Sequence, residues 1–352
     1  MKYIGNKTNL LGFIEDSLKS YQVPLEGTFT DLFSGSTSVA EHFKKLGLSV
    51  IANDFMTYSY VLQKAFIESN QIPTFEKILK YLNLAISGSP DTAVTNYLNS
   101  LDPTEGYAFH NYGSGGNQNR MYFTRENACQ IDSIRDAIEV WRQEALINEA
   151  EFYYLLASLI DAADHVANMS GTYGAFLKIW RSVALKKISL KNRLVYDNKK
   201  RNYAYQINAE ELITKIAGDI LYLDPPYNSR QYASNFHVLE SIAVWDKQEL
   251  SGKTGLRNYD MQKSDFSSKL RATQALRKVV ENANFKYIAL SYNNEGIISY
   301  DDILEILGSK GLVKVVKQEY RRFRTERNHE KRNYKDVDDK TQEYLFLVKA
   351  KL

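Results

Sequence analysis

The pattern of apolar and polar positions in the first part of the chain predicts alternating helices and strands. Residues 8–20 carry apolar side chains at the spacing of an amphipathic helix, namely Leu10, Leu11, Ile14 and Leu18. The stretch GTFTDLFSGSTSVAEHFKKLG then predicts a short strand, a Gly/Ser turn and a helix, and LSVIAND predicts a second strand. This order of strand, turn, helix and strand is typical of the first half of a doubly wound α/β fold.

The middle of the chain has a different pattern. From about residue 60 to about residue 165 the apolar spacing is mostly helical, and the Gly-rich stretch HNYGSGGNQNRMYF interrupts it. Strand patterns return in five later segments, RNYAYQIN, GDILYLDPPY, FKYIALSYNNEG, GLVKVVKQEYRRFR and TQEYLFLVKA. We therefore predict a doubly wound, Rossmann-like α/β sheet built from residues 1–60 and 206–352, with a mostly helical insertion at residues 61–205.

Composition narrows the class of protein without identifying a partner. The chain has 352 residues with 44% hydrophobic and 25% charged positions, and its formal charge of +3 is too small to demonstrate a nucleic-acid partner. Cys129 is the only cysteine, so no internal disulfide or thiolate metal site can form, and the five histidines lack metal-binding spacing. With no signal sequence and no apolar run of about 18 residues, we expect a cytoplasmic protein without a membrane segment or a metal.

The turn DLFSGSTSVA can expose backbone N–H groups at the start of a helix, where a nucleotide-like cofactor could bind. Taken alone it is equally typical of an ordinary strand–helix connection, because it matches neither GxGxxG nor a P-loop. Asp54 ends the second strand 23 residues after Asp31, near the spacing at which an acidic residue binds ribose hydroxyls. The alternative is that Asp54 caps the helix that begins in FMTYSYVLQKAF.

The most specific stretch is DPPY, which follows the apolar strand DILYL. Asp224 and the carbonyl of Pro225 can both accept hydrogen bonds from one exocyclic amine, while Pro225 and Pro226 fix the backbone and remove N–H donors. The ring of Tyr227 offers a face on which a planar base can stack. The alternative is a Pro-Pro turn with a capping Asp, but the motif favours a pocket for an amine acceptor.

Four segments occur in the order found in the alpha class of amino-group DNA methyltransferases: YIGNKTNLL, DLFSGSTSVA, ND and DPPYNSRQY. The chain resembles most the adenine-N6 modification methylases of the FokI type within that class. Four further segments resemble the same subgroup, namely RMYFTRENACQID, SGTYGAFLK, GKTGLRNY and SYNNEG. The resemblance runs from residue 2 to about residue 300.

The resemblance implies S-adenosylmethionine as cofactor, and it assigns the contacts by position. Tyr3 and Lys7 would contact the cofactor, Asp54 would bind its ribose, and Asp224 would face it. The family places an acidic residue near the cofactor adenine, whereas this chain has Asn208, which offers an amide and no charge. The methionine moiety and the turn would be lined by Asp31, Phe33, Ser34 and Gly35.

The implied activity is site-specific methylation of a flipped adenine in double-stranded DNA at N6. Asp224, Pro225, Pro226 and Tyr227 match the family's catalytic motif without deviation. We expect a monomer that is the modification half of a restriction–modification pair, with a separate endonuclease as cognate partner. Two alternatives remain, a cytosine-N4 or RNA amine methyltransferase with the same fold and a non-catalytic nucleic-acid-binding protein.

The element that reads the DNA sequence is expected in the insertion, where Asn117, Gln118 and Arg120 have side chains able to bind base edges. The alternative is a flexible surface loop, and WDKQELSGKTGLRNYDMQKSDF is a second candidate for closing over DNA. Two basic clusters mixed with aromatic residues are candidates for phosphate contacts, although each is equally typical of a solvated surface. They contain Lys186, Lys187, Lys191, Arg193, Lys199, Lys200 and Arg201, and Arg321, Arg322, Arg324, Arg327, Lys331 and Arg332.

Overall fold

The computed structural model describes residues 6–86, 88–321 and 340–351. Its strands are β1 (Thr28–Asp31), β2 (Ser49–Asn53), β3 (Tyr203–Tyr205), β4 (Ala217–Leu223), β5 (Asn284–Asn293), β6 (Val313–Arg321) and β7 (Lys340–Lys349). Its helices are α1 (Leu11–Ser20), α2 (Ser38–Lys45), α3 (Thr57–Gln63), α4 (Glu76–Tyr81), α5 (Pro90–Ser100), α6 (Tyr107–Tyr112), α7 (Arg125–Gln143), α8 (Glu149–Val166), α9 (Ala209–Leu212), α10 (Tyr232–Asn235), α11 (His237–Val244), α12 (Ala272–Asn282) and α13 (Tyr300–Gly308). A π-helical turn (Lys64–Glu68) extends α3, and short 3-10 turns lie at Thr8–Leu10, Asp260–Gln262 and Asp265–Ser267.

The strands of the described residues form one sheet in the order β3-β2-β1-β4-β5-β7-β6. The pairs from β3 to β5 are parallel, and β7 is antiparallel to both of its neighbours, β5 and β6. The chain runs outward from β1 to β2 and β3 and then returns to β4 on the other side of β1. This reversal is the topological switch point at which doubly wound folds bind their ligands. The predicted fold class is therefore confirmed.

Side chains on the two faces of the sheet enter two separate hydrophobic cores. Ile220 and Tyr222 of β4 pack with residues of α1 and α2, whereas Leu221 and Leu223 pack with residues of α12 and α13. Successive residues of a strand point to opposite faces, so each core receives every second residue of β4. Because helices cover both faces, β2 and β4 contain consecutive buried apolar residues, at positions 50–52 and 220–223, and such runs predict these strands from the sequence.

The described chain divides into two compact units, each with its own set of internal contacts. The sheet unit takes in the described residues of Ile4–Phe55, Asn198–Tyr232 and Met261–Leu352, and the helical unit takes in those of Met56–Asp197 and Ala233–Asp260. Compared with the boundaries expected from the sequence, residues 198–205 lie in the sheet unit because β3 pairs with β2. Residues 233–260 lie in the helical unit because α11 packs on α3 and α8.

Helix α8 is the centre of the helical unit, where it packs against α3, α7 and α11. Its start is fixed by a capping box in which the Asn148 side chain accepts from the Glu151 N–H and the Glu151 carboxylate accepts from the Asn148 N–H. Most of its side chains are buried because other helices surround it. Within the described ranges, no helix is both long enough and apolar enough to cross a membrane.

Candidate active site

The carboxyl ends of three neighbouring strands bring together the acidic residues that the sequence singled out. β1 ends at Asp31, which lies in register with Ala52 of β2 and with Tyr222 of β4. Asp54 lies two positions beyond Ala52, and Asp224 lies two positions beyond Tyr222. Because these strands are parallel and β1 and β4 flank the switch point, the three carboxylates lie at one edge of the sheet.

The turn after β1 is tied to the end of β2 by two backbone donors. The N–H of Ser34 donates to the carbonyl of Asn53 over 2.9 Å, and the N–H of Gly35 donates to Asp54 Oδ2 over 2.8 Å. Gly35 has φ +47°, in the left-handed region that favours glycine. Phe33 is half-buried and lies edge-on to Phe266, with 5.0 Å between the ring centroids. The predicted cofactor turn is thus a folded loop whose shape depends on Asp54.

The start of α3, for which Asp54 is the alternative capping candidate, has an acceptor within the helical unit. The first N–H groups of α3, from Thr57 and Tyr58, donate to the carboxylate of Glu240, over 3.0 and 3.1 Å. Glu240 lies on α11, far along the chain, and the sequence gives no sign of this pairing. The contact described for Asp54 is with the N–H of Gly35, in the turn after β1.

The end of β3 is connected to β2 through Asn53. Its Nδ2 donates to the carbonyl of Leu32 over 3.1 Å, and its Oδ1 accepts from the N–H of Ile207 over 3.1 Å. Asn208 follows directly, and its side chain accepts from the N–H of Glu210 over 2.8 Å as the N-cap of α9. Asn208 thus lies beside the carboxyl ends of the strands, and its amide oxygen has a structural role in this conformation.

The DPPY loop is fixed on two sides. The hydroxyl of Tyr227 donates to Asp224 Oδ1 over 2.6 Å, and the Tyr227 carbonyl accepts from the N–H of Ile297 over 2.9 Å. Tyr292 of β5 lies edge-on to the Tyr227 ring, with 5.6 Å between centroids. A Cβ at Gly296 would lie 2.0 Å from the Tyr292 ring, so this glycine is required for the ring to lie there. These contacts fix Tyr227 and the carboxylate of Asp224 relative to each other.

Lys7 lies at the DPPY loop. Its Nζ is 3.3 Å from Asp224 Oδ1 and 4.9 Å from the centroid of the Tyr227 ring, and it also bonds to the carboxylate of Glu343. Glu343, on β7, accepts a second hydrogen bond, of 2.7 Å, from the hydroxyl of Ser291 on β5. Sequence reasoning missed Glu343 and Ser291. Ser291 is a polar residue within an apolar run and was a detectable signal, whereas Glu343 follows Thr341 and Gln342 and gives no such signal.

Burial and the repulsion of neighbouring charges raise the pKa values of two carboxyl groups at this edge, those of Asp31 and Asp224. Burial, and then the charges of Asp224 and Asp54, raise the pKa of Asp31 well above its ordinary value. Burial also raises the pKa of Asp224 to about 6, although Lys7 opposes the rise. Burial by itself lowers the pKa of Lys7, but Asp224 and Glu343 outweigh it and raise the net value. Asp31 Oδ1 is buried without a hydrogen-bond partner among the residues that the structure describes.

The residues predicted to read bases differ in their exposure. Asn117 and Gln118 are exposed, whereas Arg120 is only 4% exposed. The Arg120 guanidinium donates to the carbonyls of Asn111, Gly252 and Lys253 over 2.9, 3.0 and 3.1 Å. The prediction that Arg120 binds base edges is therefore wrong, because its side chain is buried and three of its five N–H groups join the Gly-rich loop to the turn at residues 251–256.

The first basic cluster is divided between the two units. Lys199, Lys200 and Arg201 are exposed in the sheet unit, and the Arg201 guanidinium lies over the Tyr203 ring at 5.1 Å. Arg193, in the helical unit, pairs with Asp161 and lies over an aromatic ring. The cofactor prediction for Tyr3 and the DNA-contact predictions for Arg322, Arg324, Arg327, Lys331 and Arg332 lie outside the described residues, and so does the side chain of Arg321.

Two further titratable residues, His237 and Cys129, are buried in the helical unit. Both ring nitrogens of buried His237 face backbone carbonyls, those of Ser234 and Thr254, and burial lowers the pKa of this imidazole. Cys129 is buried, and burial raises the pKa of its thiol. Within the described part of the chain, no three His, Cys, Asp or Glu side chains are arranged to hold a metal ion.

Comparison with known proteins identifies the family. Residues 3–306 match the D12 class N6 adenine-specific DNA methyltransferases. The chain is 41% identical to the type II methyltransferase M.FokI of Planomicrobium okeanokoites over 99% of its own length and 52% of the relative's. It is 42% identical to the modification methylase StsI of Streptococcus sanguinis over 92% and 49% of the two lengths. The chain thus spans about half the length of these two relatives.

A third relative has nearly the same length as this chain. The type II methyltransferase M.NlaIII of Neisseria lactamica is 40% identical over 99% of both chains. The matched region includes the turn after β1, the DPPY loop and most of the helical unit. The motifs that suggested a resemblance therefore lie within a match along most of the chain. The chain belongs to the D12 class of N6 adenine-specific DNA methyltransferases.

Proposed function

We propose that this protein transfers a methyl group from S-adenosylmethionine to the N6 amine of adenine at a specific sequence in double-stranded DNA. The observation that carries the proposal is the DPPY loop at the switch point of the sheet, in a chain of the D12 class. At that position Asp224 lies at the edge of the sheet where β1 ends in Asp31, beyond the carboxyl ends of both strands.

The acceptor pocket is formed by the DPPY loop. Asp224 and the carbonyl of Pro225 accept the two N–H groups of one exocyclic amine, and the Tyr227 ring stacks on the base. The position of Tyr227 is fixed by the Ile297 N–H, which donates to its carbonyl, and by the Tyr292 ring, which packs edge-on against its ring. An amine inside the duplex cannot reach this loop, so the target base leaves the stack to be methylated.

The donor side fits a positively charged cofactor. The negative charge of Asp31 is repelled by those of Asp54 and Asp224. In addition, Asp31 Oδ1 is buried without a hydrogen-bond partner among the described residues. A cation bound beside these carboxylates would offset this repulsion. S-adenosylmethionine carries a sulfonium and an ammonium group, and a methyltransferase family requires a methyl donor. We assign its contacts to Lys7, Asp31, Phe33, Ser34, Gly35 and Asp54, with Asn208 next to them.

Catalysis follows from positioning and charge. When bound, the cofactor supplies an electrophilic methyl group on a positively charged sulfur. Asp224 and the Pro225 carbonyl hold the amine so that the nitrogen lone pair points to that methyl group. The carboxylate of Asp224 also stabilises the positive charge that develops on the nitrogen, and it is close enough to receive the proton that the amine then loses.

DNA contacts are proposed on both units. We assign target recognition to the helical unit, where Asn117 and Gln118 are exposed in the Gly-rich loop, and phosphate contacts to Lys199, Lys200 and Arg201. Two relatives are named type II methyltransferases and one a modification methylase. We accordingly propose that this chain protects DNA in the cytoplasm from a separate restriction endonuclease and that it acts as a monomer.

The test is the identity of the methylated base. The protein is incubated with S-adenosylmethionine labelled in its methyl group and with either duplex DNA of mixed sequence or structured RNA. We expect label in DNA, recovered as N6-methyladenine after digestion to nucleosides, and none in RNA. Label in N4-methylcytosine or in RNA would support the alternative acceptor, and no label in any duplex sequence would refute the proposed activity.

A further inference from the structure

We propose that Glu343 is a positioning residue of this site and that it accepts the Lys7 ammonium when the target base enters. The inference rests on the proposed function, because it concerns access to the same amine pocket. It adds a residue of the last strand, β7, to a site otherwise formed by the carboxyl ends of β1, β2 and β4.

The position of Lys7 is the first observation. Its ammonium lies 3.3 Å from Asp224 Oδ1 and 4.9 Å from the Tyr227 ring centroid, so it contacts both groups that an incoming base requires. A base stacked on this ring with its amine at Asp224 would need the space in which the Lys7 ammonium lies. Lys7 thus stands in for the substrate amine when the pocket holds no base, and it has to move when a base enters.

The surroundings of Glu343 are the second observation. Its carboxylate is buried on β7 and accepts from Lys7 and, over 2.7 Å, from the Ser291 hydroxyl on the adjacent strand. Ser291 fixes the orientation of the carboxylate, and both residues lie within regular strands that cannot shift easily. The Lys7 ammonium therefore has a fixed second acceptor, Glu343, next to Asp224, and it is already bonded to Glu343.

The charges explain why a second acceptor matters. A buried ammonium paired with one carboxylate is difficult to remove, because its departure leaves two uncompensated charges in a poorly solvated place. With Glu343 present, Lys7 can leave Asp224 and remain paired, and Asp224 then faces the amine as a free carboxylate. Without the Glu343 charge, Lys7 would bind Asp224 alone and compete more strongly with the base.

The pH profile of activity reports on the ionisation of Asp224, and several charged groups around Asp224 affect its pKa. Lys7 stabilises its charged form, and Glu343 and burial oppose that form. The titratable groups that face this edge from neighbouring segments are Lys7, Asp31, Asp54, Tyr222, Tyr227, Tyr232 and Glu343. Removing the Glu343 charge should move the acid limb of the pH profile to lower pH, and removing the Lys7 charge should move it to higher pH.

The experiment compares Glu343→Gln, Lys7→Met and the double variant with the wild-type protein on duplex DNA. We expect Glu343→Gln to raise the KM for DNA about tenfold, the effect of roughly one pKa unit of extra Lys7–Asp224 interaction, and to lower the pH of the acid limb. Glu305→Gln is the matched control, because Glu305 on α13 pairs with Arg277 at the surface and should change neither quantity. Ser291→Ala should act in the same direction as Glu343→Gln with a smaller effect, and it serves if Glu343→Gln fails to fold.

The double variant decides the role of Glu343. Once Lys7 is a methionine, no ammonium competes with the base, so adding Glu343→Gln should leave the KM for DNA unchanged. If Glu343→Gln raises the KM equally in both backgrounds, Glu343 has only a structural role and the inference is wrong. Absence of DNA methylation by the wild-type protein would instead refute the proposed function itself.

Discussion

At the scale of single residues, the role that we propose for Asp224 sets two requirements that oppose each other. For that role the carboxyl group must be ionised to accept an amine N–H, and it must be buried so that its charge acts strongly on the reacting nitrogen. Burial raises its pKa to about 6, which is still low enough to leave the carboxylate mostly ionised near neutral pH. Lys7 and the Tyr227 hydroxyl make this possible, because both donate to the charged form.

The pH dependence of activity should reflect this ionisation. Protonated Asp224 cannot accept the amine hydrogen, so kcat/KM for DNA should fall tenfold per pH unit below about pH 6. Because the pKa is raised rather than lowered on folding, the charged form needed for activity is the one that folding disfavours. Rates between pH 5 and 9, with cofactor binding measured at each pH, test this. An acid limb at the ordinary carboxyl value would contradict it.

Sequence reasoning at this scale found the residues that belong to short contiguous motifs. Asp31, Asp54 and Asp224 each end or follow a strand, and parallel strands bring such positions to one edge. Glu343 could not be assigned in the same way, because its partner Lys7 lies 336 positions earlier in the chain. Exposure is equally invisible in a motif, and for that reason Arg120 was interpreted as a reader of bases.

At the scale of elements, Arg120 joins two segments that the sequence had proposed as separate DNA-binding candidates. Its guanidinium connects the Gly-rich loop after α6 to the turn at residues 251–256 after α11. Gly255 allows this approach, since a Cβ there would lie 3.0 Å from the guanidinium. The two candidates are therefore parts of one surface, with exposed side chains at Asn117, Gln118 and Lys253.

Substitution of Arg120 should act on stability. Arg120→Ala leaves three carbonyls without their donor, and we expect the free energy of unfolding to fall by about 2–4 kcal/mol in urea titrations. Arg120→Lys should also destabilise the protein, because the single ammonium group of lysine cannot make the three directed hydrogen bonds of the planar guanidinium. The exposed neighbour change Gln118→Ala should cost less than about 0.5 kcal/mol. Wild-type stability in both Arg120 variants, with DNA affinity lost, would restore the base-reading role.

At the scale of the whole molecule, the fold was predictable wherever apolar residues recur at the regular spacing of a helix or a strand. The sheet has helices on both faces, so its strands appear in the sequence as short apolar runs between helical patterns. The extent of the helical unit was less predictable, because residues 233–260 follow closely after the DPPY loop and yet pack with α3 and α8. Such packing depends on side chains from distant parts of the chain, which periodicity does not show.

One substitution should separate methyl transfer to DNA from binding of the cofactor. We propose that Asp224 binds the acceptor amine and that most cofactor contacts come from the turn after β1 and from Asp54. In Asp224→Ala the single-turnover rate of methyl transfer to DNA should therefore fall at least about 10²–10³-fold. The dissociation constant for S-adenosylmethionine should stay within about threefold of the wild-type value, since a threefold change is less than 1 kcal/mol.

The assignment of the DPPY loop is best tested by measuring the single-turnover rate and the dissociation constant for S-adenosylmethionine, in the wild-type protein and in Asp224→Ala. Rapid-quench methyl transfer at saturating cofactor gives the rate, and equilibrium binding of S-adenosylmethionine gives the affinity. A lost rate with retained affinity is the predicted result. A variant that methylates DNA as fast as the wild-type protein would contradict the assignment of the DPPY loop as the site of methyl transfer.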